Sequence, residues 1–282
     1  MRETLVDAGA VRLSVRDHAG GAPPLLCLHG LASNARWWDL VAARLAPRNR
    51  VVAVDQRGHG RSDAPDDGYD LPTAVADADA AAAALQLGPL VAVGHSWGAS
   101  VALGLAAATP SAVLGVICID GGVADLRSVF GSTWEHAEPA MTPPDLEGVT
   151  TERIAAAVAA GPLAEGSDAD TALAILLGNF EEIEPGRWRP RLRRERHMAI
   201  ARALYHLEVP ALLREVGVPV LVLLAAAGGP GPDRRAAAKR AGGLLRGGAE
   251  VRFLDGGHDL PVQRPAEVAA AITTFVAGLA AR

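Results

Sequence analysis

The sequence has little of what marks secreted, membrane or nucleic-acid-binding proteins. Its 282 residues include only two cysteines, and its formal net charge of −5 gives no overall attraction to nucleic acid or to anionic lipid. No uninterrupted apolar run is long enough to span a bilayer, and the N-terminal residues MRETLVDAG include acids where a signal peptide has an apolar segment. These absences favour a cytoplasmic location, with no nucleic-acid partner and no membrane association.

Features that would indicate metal or thiol chemistry are also missing. The eight histidines are scattered, so no group of His and Cys has the spacing of metal ligands, and we expect neither a metal nor another cofactor. Cys27 and Cys118 both lie within apolar runs. Such positions are typical of buried free thiols, whereas a reactive cysteine needs a polar, electropositive setting.

What the chain does contain is alternating apolar runs of two kinds. Half of the residues are apolar and 21% are charged, enough for a large buried core. Up to residue 120 and again from residue 216, short β-branched runs alternate with alanine-rich helical stretches, which indicates a parallel sheet covered by helices. Residues 121–215 show helix candidates but no clear strand. We therefore predict an α/β core in two parts, 1–120 and 216–282, interrupted by a helical cap at 121–215.

One short segment points to nucleophilic catalysis. VAVGHSWGAS places Ser96 in a G-x-S-x-G pattern, after an apolar run and before a helical stretch. This is the pattern of a nucleophile elbow, a sharp strand-to-helix turn that exposes a serine hydroxyl. Because serine is a weak nucleophile, it requires a general base, an acid that orients the base, and donors for the oxyanion. We predict that Ser96 is the nucleophile.

The other parts of such a site also have candidates. His258, in FLDGGHDLPVQRP, lies between the last predicted strand and the last helix, where the base follows in the chain order Ser, acid, His. The oxyanion hole needs two backbone amides. We expect them at Trp97, directly after the nucleophile, and at Leu31, in the loop after LLCLHG.

Four segments resemble, in order, the motifs of the α/β-hydrolase superfamily: LHGLASNARWW, VVAVDQRGHGRSD, VGHSWGAS and GGHDLPVQRP. The resemblance is to the capped branch, which contains esterases, lactonases, C–C hydrolases, epoxide hydrolases and haloalkane dehalogenases. It implies an eight-stranded, mostly parallel sheet with helices on both faces and Ser96 at the elbow beneath a helical cap. It also implies that the Ser96 strand separates Cys27 from Cys118, which excludes a disulfide, and that His95 points away from the active site.

The orienting acid departs from the usual family pattern. In most of the superfamily it follows the strand after the cap, but here VPVLVLLAAAGGPGPD has no carboxylate before Asp233, just ahead of a helix where N-capping is a sufficient role. Asp120 ends the strand VLGVICID, a position that holds the acid in some family members. We predict that Asp120 orients His258 and keep Asp233 as the alternative.

Two features bear on substrate recognition. The candidate substrate-binding residues are Trp37, Trp38 and Trp134, with packing of the core or attachment of the cap as the alternative role.

The run RWRPRLRRERH, residues 187–197, holds six arginines and one glutamate, a local charge of +5. It predicts either a clamp for a carboxylate, a phosphopantetheine or an acidic carrier protein, or, as we prefer, a solvated helix face paired with acids such as Glu181, Glu182 and Glu184.

The nucleophile narrows the chemistry within the family. Dehalogenases and epoxide hydrolases with this elbow need a carboxylate at the serine position, so Ser96 favours acyl transfer to water. We predict a cofactor-independent serine hydrolase that cleaves a small to medium, mostly apolar ester or lactone through an acyl-enzyme. An acyl-thioesterase, a C–C bond hydrolase and a ligand receptor with very slow turnover remain as alternatives. Both a monomer and a homodimer are compatible with the sequence.

Overall fold

Strands in the computed structural model build a large central sheet and a small one; the model describes residues 1–280, apart from the side chain of Asp233. The eleven strands of this part of the chain are, in order, β1 (Arg2–Asp7), β2 (Arg12–His18), β3 (Leu25–Leu28), β4 (Val51–Val54), β5 (Leu90–His95), β6 (Val113–Ile119), β7 (Val149–Thr150), β8 (Phe180–Glu184), β9 (Arg187–Pro190), β10 (Val220–Ala225) and β11 (Ala249–Leu254).

The central sheet confirms the predicted architecture. Its eight strands have the order β1-β2-β4-β3-β5-β6-β10-β11 and are parallel from β4 to β11, whereas β2 is antiparallel to both β1 and β4. Strand β5, which leads to Ser96, lies between β3 with Cys27 and β6 with Cys118. Both thiols are buried and free, as predicted, and burial raises the pKa of each.

Helices cover both faces of the central sheet. Within the described residues a 3₁₀ turn at Ala35–Trp38 precedes thirteen α-helices: α1 (Asp39–Leu45), α2 (Leu71–Ala84), α3 (Trp97–Ala108), α4 (Leu126–Phe130), α5 (Trp134–Met141), α6 (Thr151–Ala160), α7 (Leu163–Gly166), α8 (Ala169–Leu177), α9 (Arg194–Tyr205), α10 (Val209–Glu215), α11 (Pro232–Gly242), α12 (Leu260–Gln263) and α13 (Pro265–Ala280). None of them is long and apolar enough to cross a bilayer.

The core is divided by the sheet into two apolar clusters. Successive side chains of a strand point to opposite faces, so Leu26 and Leu28 join the cluster beneath α2 and α3. Leu25 and Cys27 join the cluster beneath α1 and α13. Because both faces of β3 to β6 are covered, these strands are continuous apolar runs, which is why they are readily recognised in the sequence.

The N-terminal hairpin of β1 and β2 is harder to recognise, because charged residues occupy it. Arg16 points inward and is 5% exposed. Its guanidinium donates to both carboxylate oxygens of Asp39, at 2.9 and 2.8 Å, and to Glu3 at 2.8 Å. Two ion pairs therefore replace apolar contacts at this edge of the sheet.

The segment inserted between β6 and β10 is not purely helical. The prediction that residues 121–215 contain no strand is wrong, because β7, β9 and β8 form an antiparallel three-stranded sheet in that order. Five of the nine residues of β8 and β9 are charged, and the three short strands give no clear apolar alternation. The local signal for this hairpin is its turn, where Pro185 precedes Gly186 with φ at +73°.

A buried ion pair anchors the loop after β4. Arg57 lies in this loop and forms a bidentate contact with Asp77 of α2, with N–O distances of 2.5 and 2.7 Å. Each of the two side chains is 8% exposed. Removal of one partner leaves an uncompensated charge away from water, which is the costly way to break such a pair.

We predict that Asp77→Ala lowers the free energy of unfolding by about 3–5 kcal/mol, measured by urea denaturation. Asp79→Ala is the matched control, because Asp79 lies two residues further along α2 and is exposed. Equal, small effects of the two substitutions would show that the Arg57 contact does not stabilise the fold.

Candidate active site

Ser96 occupies a strained turn between β5 and α3. Its φ and ψ are +53° and −118°, a region that non-glycine residues rarely adopt. A Cβ on Gly94 would overlap the Gly98 carbonyl, and one on Gly98 would overlap the backbone at Leu28, so both glycines are sterically required. The Ser96 amide donates to Ile119 at 3.0 Å, and its side chain makes no capping hydrogen bond to α3. The hydroxyl is therefore left available at the tip of the turn.

The loop after β11 brings His258 to the end of β6. His258 Nδ1 lies 2.7 Å from Oδ2 of Asp120. The other carboxylate oxygen, Oδ1, accepts from the Ala225 amide at 2.9 Å and from Arg234 Nη2 at 2.8 Å. The Asp120 side chain is 11% exposed, and its backbone is held at φ +42°. Three donors from three separate elements therefore orient this carboxylate.

The strand end that holds the acid in most relatives has a different role here. Ala225 is the last residue of β10, and its amide donates to Asp120 instead of preceding a carboxylate. The Asp233 side chain, our alternative acid, lies outside the described residues. Arg234, the next residue, is one that the sequence analysis did not single out, because no motif marks it.

The charges around His258 act in opposite directions. Burial disfavours the ionised form of Asp120, but the hydrogen bonds from His258 and Ala225 and the charge of Arg234 outweigh it, so the pKa of Asp120 is lowered. The hydrogen bond to Asp120 raises the pKa of His258, with a further contribution from Asp259, while burial and Arg234 lower it. The net upward shift means that the site stabilises the imidazolium that forms when a histidine accepts a proton.

His95 does not point away from the site, so that prediction is wrong. Its ring lies 4.9 Å from the His258 ring, and its Nε2 is 2.9 Å from the His258 carbonyl oxygen. Burial lowers the pKa of His95 to about 4. The ring is therefore neutral at pH 7 and, with Nε2 as the protonated nitrogen, donates to the backbone of the His258 loop.

Buried histidines also support the loop after β3. A Cβ on Gly30 would lie 3.0 Å from Ser96 Cβ, so this loop passes directly beside the elbow. His59 Nε2 accepts from the Ala32 amide at 3.3 Å, and burial lowers the pKa of His59 to about 3. Within residues 1–280, neither the Leu31 amide nor the Trp97 amide donates to a protein acceptor. Both predicted oxyanion donors are therefore free.

The three tryptophans do not line the two clefts beside this loop. Trp38 is fully buried in the cluster beneath α1 and α13, and Trp37 is 7% exposed with its ring 6.4 Å from that of His95. Trp134 packs edge-on against Tyr205 within the inserted segment, with ring centroids 5.5 Å apart. These contacts fit the alternative role for the three tryptophans, which is packing of the core or attachment of the cap.

The two clefts lie between the inserted segment and the core. The larger has a volume of about 390 Å³ and extends from Ala32 and Ser33 to the residues around Arg191. The smaller, about 270 Å³, lies between Arg61 of the core and Arg191. Among the side chains that the structure describes, no three of His, Cys, Asp or Glu are grouped as a metal site.

The arginine run is not one helix face, because it passes from β9 through a loop into α9. The predicted pairing with Glu181 is confirmed, since Arg189 lies 2.6 Å and Arg193 lies 3.3 Å from its carboxylate. Arg196 pairs with Asp66 of the core at 3.1 Å. Three of the six arginines therefore form ion pairs, either within the inserted segment or between this segment and the core.

The parallel sheet, the serine elbow and the neighbouring histidine–aspartate pair together define a hydrolase class. The chain belongs to the alpha/beta hydrolase family, whose model matches residues 25–271. It is 31% identical over 267 residues to the lipase LipV of Mycobacterium tuberculosis, an alignment that spans 89% of this chain and 92% of the lipase.

Two further similarities concern one kind of hydrolase. The chain is 39% identical over 115 residues to 2-(acetamidomethylene)succinate hydrolase of Mesorhizobium japonicum, and that match spans 41% of each protein. The crystal structure of an E-2-(acetamidomethylene)succinate hydrolase superposes with a TM-score of 0.81 at 27% identity, covering 98% of this chain and 99% of that one. The similarity in fold thus extends over the central sheet and the inserted segment alike.

We predict that substitutions at the two partners of this carboxylate network shift the His258 titration in opposite directions. Asp120→Asn removes the acceptor that stabilises the imidazolium, so the pKa of His258 falls. Arg234→Gln removes a nearby positive charge, so that pKa rises. Both are measured from the His258 imidazole resonance in NMR spectra. Arg235→Gln is the control, and equal shifts for Arg234→Gln and Arg235→Gln would contradict the specific contact.

Proposed function

We propose that this protein is a serine hydrolase that cleaves a small to medium, mostly apolar carboxylic ester or lactone through an acyl-enzyme. This proposal depends on one observation. Ser96, in a strained turn, and Asp120, hydrogen-bonded to His258, both lie at the carboxyl ends of strands of the central sheet. Ile119 and Gly121, the neighbours of Asp120, both contact the Ser96 backbone. Ser96 and Asp120 therefore follow the ends of the adjacent strands β5 and β6, and His258 is hydrogen-bonded to Asp120.

In the proposed mechanism Ser96 Oγ attacks the carbonyl carbon while Nε2 of His258 accepts its proton. The amides of Leu31 and Trp97 donate to the oxyanion of the tetrahedral intermediate. This intermediate collapses, and His258 returns the proton to the leaving alkoxide. Water then attacks the acyl-enzyme with His258 again as base, which releases the acid and restores Ser96.

The hydrogen bond to Asp120 supports the assignment of roles within the pair. When Nδ1 of His258 carries the proton and donates to Asp120, the lone pair on Nε2 is free to accept from the serine. A carboxylate held ionised by three donors also stabilises the imidazolium in the transition state. An amide nitrogen at the same place would not do so.

The preference for a mostly apolar substrate is supported by the larger cleft. Leu176, Phe180 and Leu192 contribute apolar side chains to its walls. The similarity to a lipase over most of the chain supports ester chemistry. The similarity to a hydrolase of 2-(acetamidomethylene)succinate makes this compound a necessary member of any substrate panel.

We predict turnover of 4-nitrophenyl butyrate or of a small lactone, and its complete loss in Ser96→Ala. The panel also contains a long-chain ester, an acyl-thioester, a diketone and 2-(acetamidomethylene)succinate, measured as steady-state hydrolysis. A fluorophosphonate probe should label wild type but not Ser96→Ala. Ser100→Ala is the control, because Ser100 is buried one turn further along α3.

The same panel separates the alternatives. Turnover restricted to the thioester favours a thioesterase, and turnover restricted to the diketone favours a C–C hydrolase. Tight binding of a ligand without turnover by folded protein favours a receptor. Hydrolysis or probe labelling that survives in Ser96→Ala contradicts the assignment of the nucleophile.

We predict that Asp120→Asn lowers kcat by about 10⁴-fold, as expected for loss of the orienting carboxylate in a serine triad. Since the base must be neutral, kcat/KM of wild type should fall as the pH drops through the raised pKa of His258. The midpoint of this fall should move to lower pH in Asp120→Asn. A full rate in Asp120→Asn would indicate that another carboxylate orients His258.

A further inference from the structure

Among the described residues, Arg187 and Arg194 of the basic run also lack an acidic partner, but both are exposed and donate to backbone carbonyls, whereas Arg191 is half-buried. Its amide donates to the Asn179 carbonyl at 2.9 Å, so its backbone position is fixed. Its side chain is half-buried, yet among the described residues no carboxylate lies within 4.0 Å of its guanidinium. Its neighbour Arg193, in contrast, contacts both Glu147 and Glu181.

Arg191 lines the wall of both clefts. The acids of the larger cleft are already engaged, since Glu147 pairs with Arg193 and Asp145 accepts from the Glu147 amide. The acids of the smaller cleft are engaged as well. Glu3 pairs with Arg16 and Arg61. Asp55 accepts from two backbone amides, those of Ala35 and Arg61.

A half-buried guanidinium without an anionic partner is poised to bind one. Its planar fork matches the geometry of a carboxylate, and such charge-assisted pairs are stronger than hydrogen bonds between neutral groups. A ligand carboxylate would therefore complete the pairing that the cleft acids do not supply.

The larger cleft is bounded both by Arg191 and by the loop that carries Leu31. One end of it is formed by Ala32 and Ser33, the two residues that follow Leu31. The Ser33 amide donates to Gly30 in a tight turn, and Gly30 abuts Ser96. A turn of this kind holds its ends within about 7 Å, so the cleft wall at Ser33 lies near Gly30, the residue that passes beside Ser96. The same cleft is lined by the apolar side chains of Leu176, Phe180 and Leu192 and by Arg191.

We propose that Arg191 binds a carboxylate at the far end of the substrate, so that the preferred substrate is an ester with an apolar middle and one terminal carboxylate. This inference rests on the proposed function, because it assumes that the ester carbonyl lies between Ser96 and the amides of Leu31 and Trp97. It narrows the substrate class to carboxylate-bearing esters.

The test compares esters that differ in one terminal group. 4-Nitrophenyl glutarate ends in a carboxylate where 4-nitrophenyl valerate ends in a methyl group, and 4-acetoxybutyrate and butyl acetate form the corresponding pair for the alcohol side. Wild type should prefer the anionic member of at least one pair. Arg191→Gln should lower kcat/KM for that member about 10- to 100-fold more than for the neutral one, mainly through KM. Arg191→Lys should retain part of the preference.

Arg189→Gln is the matched control, because Arg189 lies two residues away and pairs with Glu181 outside both clefts. It should leave the preference unchanged. Equal rates within both pairs in wild type, or equal losses in Arg191→Gln and Arg189→Gln, would overturn the proposal while leaving the esterase assignment intact.

A binding measurement separates failure of the inference from failure of the proposed function. Calorimetry of Ser96→Ala with glutarate should show saturable binding that Arg191→Gln abolishes in the same background, even if wild type hydrolyses none of the esters. Absence of turnover with intact glutarate binding would contradict only the esterase proposal. Absence of glutarate binding in Ser96→Ala would overturn the carboxylate site.

Discussion

The hydrogen bond between His258 and Asp120 is the contact on which the geometry of the site depends. Asp120 stands at the end of β6, and its carboxylate collects donors from the loop after β11, from the end of β10 and from α11. The three donors lie between 105 and 138 residues after Asp120 in the sequence. Because each is linked to the same two oxygens, the position of the imidazole is determined by the central sheet and not by its own loop alone.

Two neutral histidines support the backbone near this pair through hydrogen bonds. His95 supports the His258 backbone, and His59 supports the loop that carries Leu31. Burial lowers the pKa of both far below neutrality, so they remain uncharged as His258 gains and loses a proton. Repulsion among like charges, which three protonated imidazoles in this space would create, is thereby avoided.

Apolar periodicity was sufficient to predict the core, because strands buried on both faces and helices of regular composition leave strong patterns. The same logic failed for β8 and β9, whose charged residues pair across a small, half-exposed sheet. For Trp38 the sequence left two roles open, since a tryptophan that follows the loop after β3 has the same sequence signature whether it binds a substrate or fills the core. Arg234 lies outside every motif, and its contact with Asp120 follows only from the way α11 packs near the end of β6.

Because the carboxylate bound to His258 is Asp120, directly after β6, the connection between β10 and α11 does not have to supply one. Among the described residues, 227–230 make no hydrogen bond to His258, while the Ala225 amide and Arg234, on either side of them, donate to Asp120. Residues 227–230 are therefore a suitable site for inserting a foreign segment. A tether, an affinity peptide or a second protein inserted there would join the molecule beside its active site without replacing any of the reacting groups.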